Sequence, residues 1–240
     1  MLDVNLAHLL VWYLVFVFST TCHEYAHALV AYKGGDLTAY EGGQLSLDPT
    51  PHIRRSPFGM VIVPLLSFVW YHWMLGWASV PYDPRWGKRH PRLQALMSAA
   101  GPLANFTLAA AAIVAIRVLV GVGVLEVPRA VDFQQLVVAV GDPEGRSVTS
   151  ALAMALSILA NLNLLLGIFN LMPFPPLDGA GVVEGAGPTP VVQLYEKLRE
   201  QPMLPMLGLL VAWYSFGYLA SWALDLNIFL ALGVRTGWLA

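Results

Sequence analysis

Charge is what this sequence has least of. Asp, Glu, Lys and Arg make up 12% of its 240 residues, against roughly 25% in an ordinary globular domain, too few ionised groups to cover a water-facing surface. A soluble globular protein is excluded, and the chain reads as a membrane protein. Basic excess is absent too: the formal net charge is −2, which implies no nucleic-acid partner. With Cys22 as the single cysteine, no intramolecular disulfide can form. No internal repeat is visible, and no hydrophilic stretch exceeds about 30 residues, too short for a separate soluble domain. The opening MLDVNLAHLL has no basic region, and its apolar run is about twice the length of a signal-peptide core, so this first segment is expected to stay in the protein.

What is present is apolar: 57% of residues are hydrophobic. The charges gather at 33–57, 80–92, 126–146 and 178–200. Between and beyond them lie apolar runs at 6–32, 58–79, 93–120, 148–172 and 203–223, with an apolar tail at 224–240. Each run is near the roughly 20 residues that cross a hydrocarbon core of about 30 Å. The sequence therefore predicts an all-α polytopic membrane protein with five to six transmembrane helices. It also predicts one intramembrane domain over 1–240, its core at 6–180 and its C-terminal span or spans at 203–240. The segment Gly34–Pro57 (GGDLTAYEGGQLSLDPTPHIRRSP) has Gly pairs, an alternating Gln44-Leu45-Ser46-Leu47 and three prolines, predicting a membrane-associated loop or short hairpin after the first span. With these spans, Lys33, Arg54, Arg55, Arg117, Arg129 and Arg146 face one side, and Arg85, Lys88, Arg89, Arg92, Lys197 and Arg199 the other. Six against six gives no orientation. Trp70, Tyr71, Trp73 and Trp77 read as an interfacial aromatic belt.

The first span runs into Thr21-Cys22-His23-Glu24-Tyr25-Ala26-His27, an HExxH sequence inside what otherwise reads as a transmembrane helix. His23 and His27 are about 40° apart around such a helix, so both imidazoles can reach one zinc ion, with Glu24 beside them as a base. Ionisable groups at membrane depth are rarely kept without a partner or a task. A catalytic zinc usually takes three protein ligands. After the fourth span, Phe169-Asn170-Leu171-Met172-Pro173-Phe174-Pro175-Pro176-Leu177-Asp178-Gly179 places one acidic residue just beyond a proline-broken apolar segment. By residue chemistry Asp178 reads either as the third ligand or as an ordinary turn residue after a helix.

HEYAH in a first span with FNLMPFPPLDG in a later one resembles the site-2 protease family of intramembrane zinc metalloproteases. Ser98-Ala99-Ala100-Gly101-Pro102-Leu103-Ala104-Asn105 is similar to that family's GPxAN element. The resemblance covers residues 20–180 and implies that His23, His27 and Asp178 bind one zinc ion per chain. It implies Glu24 as the catalytic base, with Asn105 and Asn170 as polar helpers near the site. Interhelical packing is the competing reading of both asparagines. GGQLSLDPTPHI before an apolar span looks like the short branch without an inserted soluble domain. Arg54 and Arg55 depart from that branch where Asp-Pro is usual, and Ala180 where a second Gly is common. Neither departure touches a ligand. His8 and His72 read as interfacial, His52 and His90 as loop residues, and Cys22 as a structural thiol.

The implied activity is zinc-dependent endoproteolysis in or near the transmembrane segment of a membrane protein, in regulated intramembrane proteolysis. The implied setting is a multi-pass protein of a prokaryotic-type cell membrane. Its partners would be the lipid bilayer, a single-span substrate and a separate regulatory or substrate-presenting protein. A catalytically silent relative that binds membrane segments is the alternative, against which stands the retention of all four zinc-site residues. A metal transporter would need ionisable residues on several spans at different depths, which spans two, three and five scarcely offer.

Overall fold

The computed structural model describes residues 5–142, 144–201 and 203–233. Helix α1 (Leu6–Lys33) begins where the Asn5 side chain accepts hydrogen bonds from Ala7 N and His8 N at 3.0 and 3.3 Å, supplying acceptors that the first turn lacks. Short helices α2 (Thr38–Glu41) and α3 (Pro49–Arg55) follow. A π-helical turn, Phe58–Ile62, leads into α4 (Val63–Tyr71), and α5 (Pro84–Arg89) precedes the long α6 (Pro91–Gly121). Two short strands, β1 (Leu125–Glu126) and β2 (Val138–Ala139), pair antiparallel. Helix α7 (Val148–Asn170) is capped by Ser147. It is followed by α8 (Asp178–Ala186), α9 (Thr189–Glu200) and α10 (Leu204–Leu232). The protein is all-α and polytopic, and among the described residues four helices are long and apolar enough to cross a bilayer: α1, α6, α7 and α10.

One sequence expectation is corrected and two open ones are resolved. Segment 34–57 takes the loop form, with short helices and no strand among the described residues. Asp48 accepts from Thr50 N at 2.8 Å with Pro49 in the first turn, a helix start that overrides the Gln44–Leu47 alternation. The tail after 223 adds no separate crossing as far as Leu232, because α10 continues through it without a break; residues 234–240 lie outside the described residues.

The correction is to the run at 58–79. Its helix stops at Tyr71, where His72 takes a left-handed conformation (φ 56°). The chain then returns extended along the helix it came from. Leu75 N donates to Ser67 Oγ at 2.9 Å and Trp77 N to Gly59 O at 3.1 Å, and Gly76 lies against Phe16, Gly59 and Pro64. Asp83 N then donates to Asp36 Oδ2 at 2.8 Å, just past the end of α1. Residues 58–83 are thus a re-entrant hairpin, with both ends on the side where α1 ends, called proximal below. Burial pushes the Asp36 carboxyl up, but hydrogen bonds from Thr38 and Asp83 outweigh it and hold the group below the usual carboxylate range.

On the distal side, Trp12, Val15 and Phe16 of α1 pack with Phe68, Met74, Ile158 and Leu162. A second apolar cluster joins α6, α7 and the β1–β2 connection through Ile116, Leu125, Leu136 and Ala153. Helix α10 runs antiparallel to α7, with Phe216 against Phe169 (ring centroids 5.0 Å apart) and Asn227 Nδ2 donating to Asn161 Oδ1. Helices α1, α6 and α7 enclose the proximal interior.

Candidate metal centre

Both imidazoles of the HExxH turn are buried, His23 at 8% and His27 at 6% exposure. They stand about 15 and 9 Å, respectively, along the helix from its proximal end at Lys33. Their Nε2 atoms are 3.0 Å apart. Asp178 Oδ2 lies 3.1 Å from His23 Nε2 and 3.3 Å from His27 Nε2. The structure therefore brings three of the sequence-predicted residues together, offering one ligand atom each within 4.8 Å of one another.

The outward nitrogen of each ring explains why the inward one is free. His27 Nδ1 is 2.6 Å from the Met97 carbonyl oxygen, which can only accept, so Nδ1 carries the proton. His23 Nδ1 is 2.6 Å from Asn105 Oδ1. In the neutral rings that a metal requires, both protons lie on Nδ1, and the two Nε2 lone pairs and the Asp178 carboxylate oxygen face one another with no proton between them. Asp178 Oδ2 is a buried acceptor with no hydrogen-bond donor. Three electron-pair donors at this spacing repel unless a cation sits among them. Their separations of 3.0–3.3 Å are close to the edge of about 3.3 Å for ligands at about 2.0–2.1 Å from a tetrahedral ion. The donor set and its spacing fit zinc.

Close backbone approach makes this geometry possible. On α6, a side chain at Gly101 would collide with both imidazoles, its first atom 2.5 Å from His23 Nε2. Asp178 is delivered by the turn Leu171–Leu177, and a side chain at Gly179 would run into the Leu171 and Met172 carbonyls. Helix α8 then seats Gly181 against Ser98 and Gly185 against Pro91 and Ala95 of α6, which fixes its first residue, Asp178, over the two histidines. Tyr195 of α9 donates its hydroxyl to Pro173 O at 2.6 Å, tying the same turn from outside.

Glu24 is 5% exposed and makes no hydrogen bond or ion pair with the described residues. Asn105, fully buried, is in contact with the site through His23. Asn170 is engaged elsewhere: its Nδ2 donates to Leu166 O of its own helix at 3.0 Å. Sequence reasoning missed Asn163, whose Oδ1 accepts from Asn105 Nδ2 at 2.7 Å, together with Ser19 and the Met97 carbonyl. The available signal for Asn163 was its seven-residue spacing from Asn170, which puts both on one face of an apolar helix. Cys22 is half-buried. His52 is buried rather than a loop residue, its Nε2 bonding Ser46 O at 3.0 Å.

A membrane-helix His-Glu-x-x-His pair joined by a distant aspartate defines a centre of metallopeptidase type. Residues 11–190 match the sequence profile described as Peptidase family M50, and the chain belongs to this family, that of the site-2 proteases. A protein of Bacillus subtilis (strain 168) named "Putative zinc metalloprotease YwhC" is 37% identical over 174 residues, which cover 72% of this chain and 67% of that protein. No solved structure matches. The protein is a membrane metallopeptidase by family.

Proposed function

We propose that this protein is an intramembrane zinc endopeptidase that cuts a peptide bond in or near the transmembrane segment of a single-span membrane protein, as a step of regulated intramembrane proteolysis. One observation carries the reading: His23 Nε2, His27 Nε2 and Asp178 Oδ2 converge at 3.0–3.3 Å inside a membrane-length helix. His23, His27 and Asp178 would hold one zinc ion per chain, which would supply Lewis-acid chemistry for the scissile carbonyl and the attacking water. Glu24, a buried carboxylate with no competing hydrogen-bond donor, takes a proton from the attacking water and delivers it to the leaving amine. The Met97 carbonyl and Asn105 hold the two imidazoles in the orientation that this requires.

A substrate helix hides its carbonyls in its own hydrogen bonds and must unwind locally before it is cut. The returning strand of the re-entrant hairpin supports a peptide substrate. Gly76, Ala78, Ser79, Val80 and Tyr82 have backbone N–H groups without partners among the described residues. This extended segment meets α1 at Phe16 and the turn just beyond it at Asp36, and His23 and His27 lie between those two points along the chain. An unwound segment laid along it would satisfy both backbones.

The hairpin also changes the charge balance. With 34–57 and 80–92 on one side, nine Lys and Arg residues are proximal (seven from Lys33 to Arg92, plus Lys197 and Arg199) and three distal (Arg117, Arg129 and Arg146). That bias supports a proximal side facing the cytoplasm of a prokaryotic-type cell. The core 6–180 and the C-terminal helix are read as one intramembrane domain, served by a separate partner for substrate selection.

The test is co-expression of wild type and Glu24→Gln with candidate single-span proteins. Fragments that appear with wild type and vanish with Glu24→Gln, at equal expression and equal zinc content, are the expected result. Fragments of undiminished yield from Glu24→Gln would overturn the mechanism. Zinc-loaded wild type that captures such segments without cutting any would favour the silent relative.

A further inference from the structure

The hydrogen bonds behind His23 continue well past the metal centre. Asn105, Asn163 and Ser19 are each 0% exposed and lie on α6, α7 and α1. Asn105 Nδ2 donates to Asn163 Oδ1 at 2.7 Å. Asn163 Nδ2 donates to Ser19 Oγ at 2.8 Å and to the Leu159 carbonyl at 2.9 Å.

The polarity of this chain is fixed from its far end. A backbone carbonyl accepts and never donates, so the amide group of Asn163, not its oxygen, must face Leu159. Its Oδ1 then faces Asn105, and two opposed oxygens are avoided only if Asn105 presents its amide nitrogen there. Asn105 Oδ1 is left facing His23 Nδ1, which must therefore carry the ring proton, freeing Nε2. His27 receives the same instruction in one step from the Met97 carbonyl; His23 receives it through two asparagines.

We propose that Asn163 is a positioning residue for the metal centre, acting through Asn105 to hold His23 in the Nδ1-protonated form whose Nε2 can bind metal. The inference rests on the zinc reading above and concerns how that site is set. Without Asn163, Asn105 is free to turn its amide nitrogen towards His23, which favours the ring form with its proton on Nε2, where the metal must bind.

The experiment measures zinc affinity by chelator competition on detergent-purified full-length protein, with no cleavage assay involved. Asn163→Leu, with the same branching but unable to hydrogen-bond, should weaken zinc binding about tenfold or more, the range seen when partners of metal-bound histidines are removed. Asn163→Asp, kept neutral by full burial, retains an acceptor towards Asn105 and a donor towards the Leu159 carbonyl, and should lose clearly less affinity than Asn163→Leu. The decisive variant is Asn105→Asp combined with Asn163→Leu. A carboxylate accepts from His23 whichever way it turns, so the affinity lost in Asn163→Leu should return. A purely packing role predicts the same order of the two single variants, since Asp matches Asn in volume and Leu exceeds it, but it predicts no rescue in the double variant.

Unchanged affinity in Asn163→Leu would overturn the proposal, as would Asn163→Asp falling as far as Asn163→Leu. So would a double variant that binds no better than Asn163→Leu, or that fails to fold alongside it. Wild type that binds no zinc would instead refute the zinc reading itself, so the two failures are distinguishable.

Discussion

Asn161 and Asn163 stand two residues apart on α7 and face nearly opposite ways. Each donates to a backbone carbonyl and accepts from another asparagine: Asn161 from Asn227 of α10, Asn163 from Asn105 of α6. The difference lies in what stands at the end. Asn227 is a terminus, with its Oδ1 buried and without a donor, whereas Asn105 passes the polarity on to a metal-site histidine. Chemically identical pairs in one helix thus do different work: one joins two helices, the other joins three and sets a tautomer. Burial does not separate them, since Asn105, Asn163 and Asn227 are all 0% exposed and Asn161 is 1%.

That comparison predicts losses of different kinds on the two faces of α7. The largest belong to the metal centre. His23→Ala, His27→Ala or Asp178→Ala removes one of three ligands, and elemental analysis should find little zinc in each purified variant. A full complement in Asp178→Ala would remove that residue from the site. Glu24→Gln should retain zinc while its cleavage rate falls by about 10² to 10⁴, the usual contribution of a general acid–base group. Loss of zinc along with cleavage would mean that Glu24 supports the site structurally.

Next in size is Asn105→Leu, which deprives His23 Nδ1 of its acceptor and leaves Asn163 Oδ1 unpaired. Zinc affinity should fall about 10- to 100-fold, as for other partners of metal-bound histidines. Chelator competition that gives wild-type affinity for Asn105→Leu would make the two asparagine pairs equivalent and erase the distinction.

The legible parts of the molecule were those written in one stretch of chain. Helices α1, α6 and α7 follow from uninterrupted apolar length, and His23, Glu24 and His27 from their spacing within one turn and a neighbour. Asp178 was legible as a candidate because prolines break the chain just before it. The re-entrant hairpin was not, because residues 58–79 are predominantly apolar and the reversal at His72 occurs without glycine or proline. Its register is set by Ser67, Gly59 and Asp36, contacts between distant segments that composition does not encode. The misplaced crossing also hid the charge bias, since one wrong span moves every later loop to the opposite side. The role of Asn163 was not legible for a related reason: an asparagine in an apolar helix is ordinary interhelical glue, and only the identity of its second neighbour makes it otherwise.

The smallest effect should come from Asn227→Leu, and it isolates the comparison most cleanly. Asn227 contributes a single donated bond to Asn161 Oδ1, and its own oxygen is already without a partner. Removing it takes away one interhelical hydrogen bond, and the unsatisfied acceptor that disappears with Asn227 is replaced by Asn161 Oδ1, so those two terms offset each other. Interhelical side-chain bonds in membranes average about 0.6 kcal/mol and reach at most about 1.7, so the loss should fall in the lower part of that range. Asn161 still donates to Phe133 O at 2.8 Å, which keeps the loop before β2 attached to α7. Zinc affinity should be unchanged, because no hydrogen bond leads from Asn227 to either histidine. The measurement is again paired: unfolding of the detergent-solubilised protein for stability, and chelator competition for zinc. A fall in zinc affinity as large as that of Asn163→Leu would show that strain from α10 reaches the metal centre through α7. Setting the tautomer would then be a property of the whole helix and not of the Asn163 face alone.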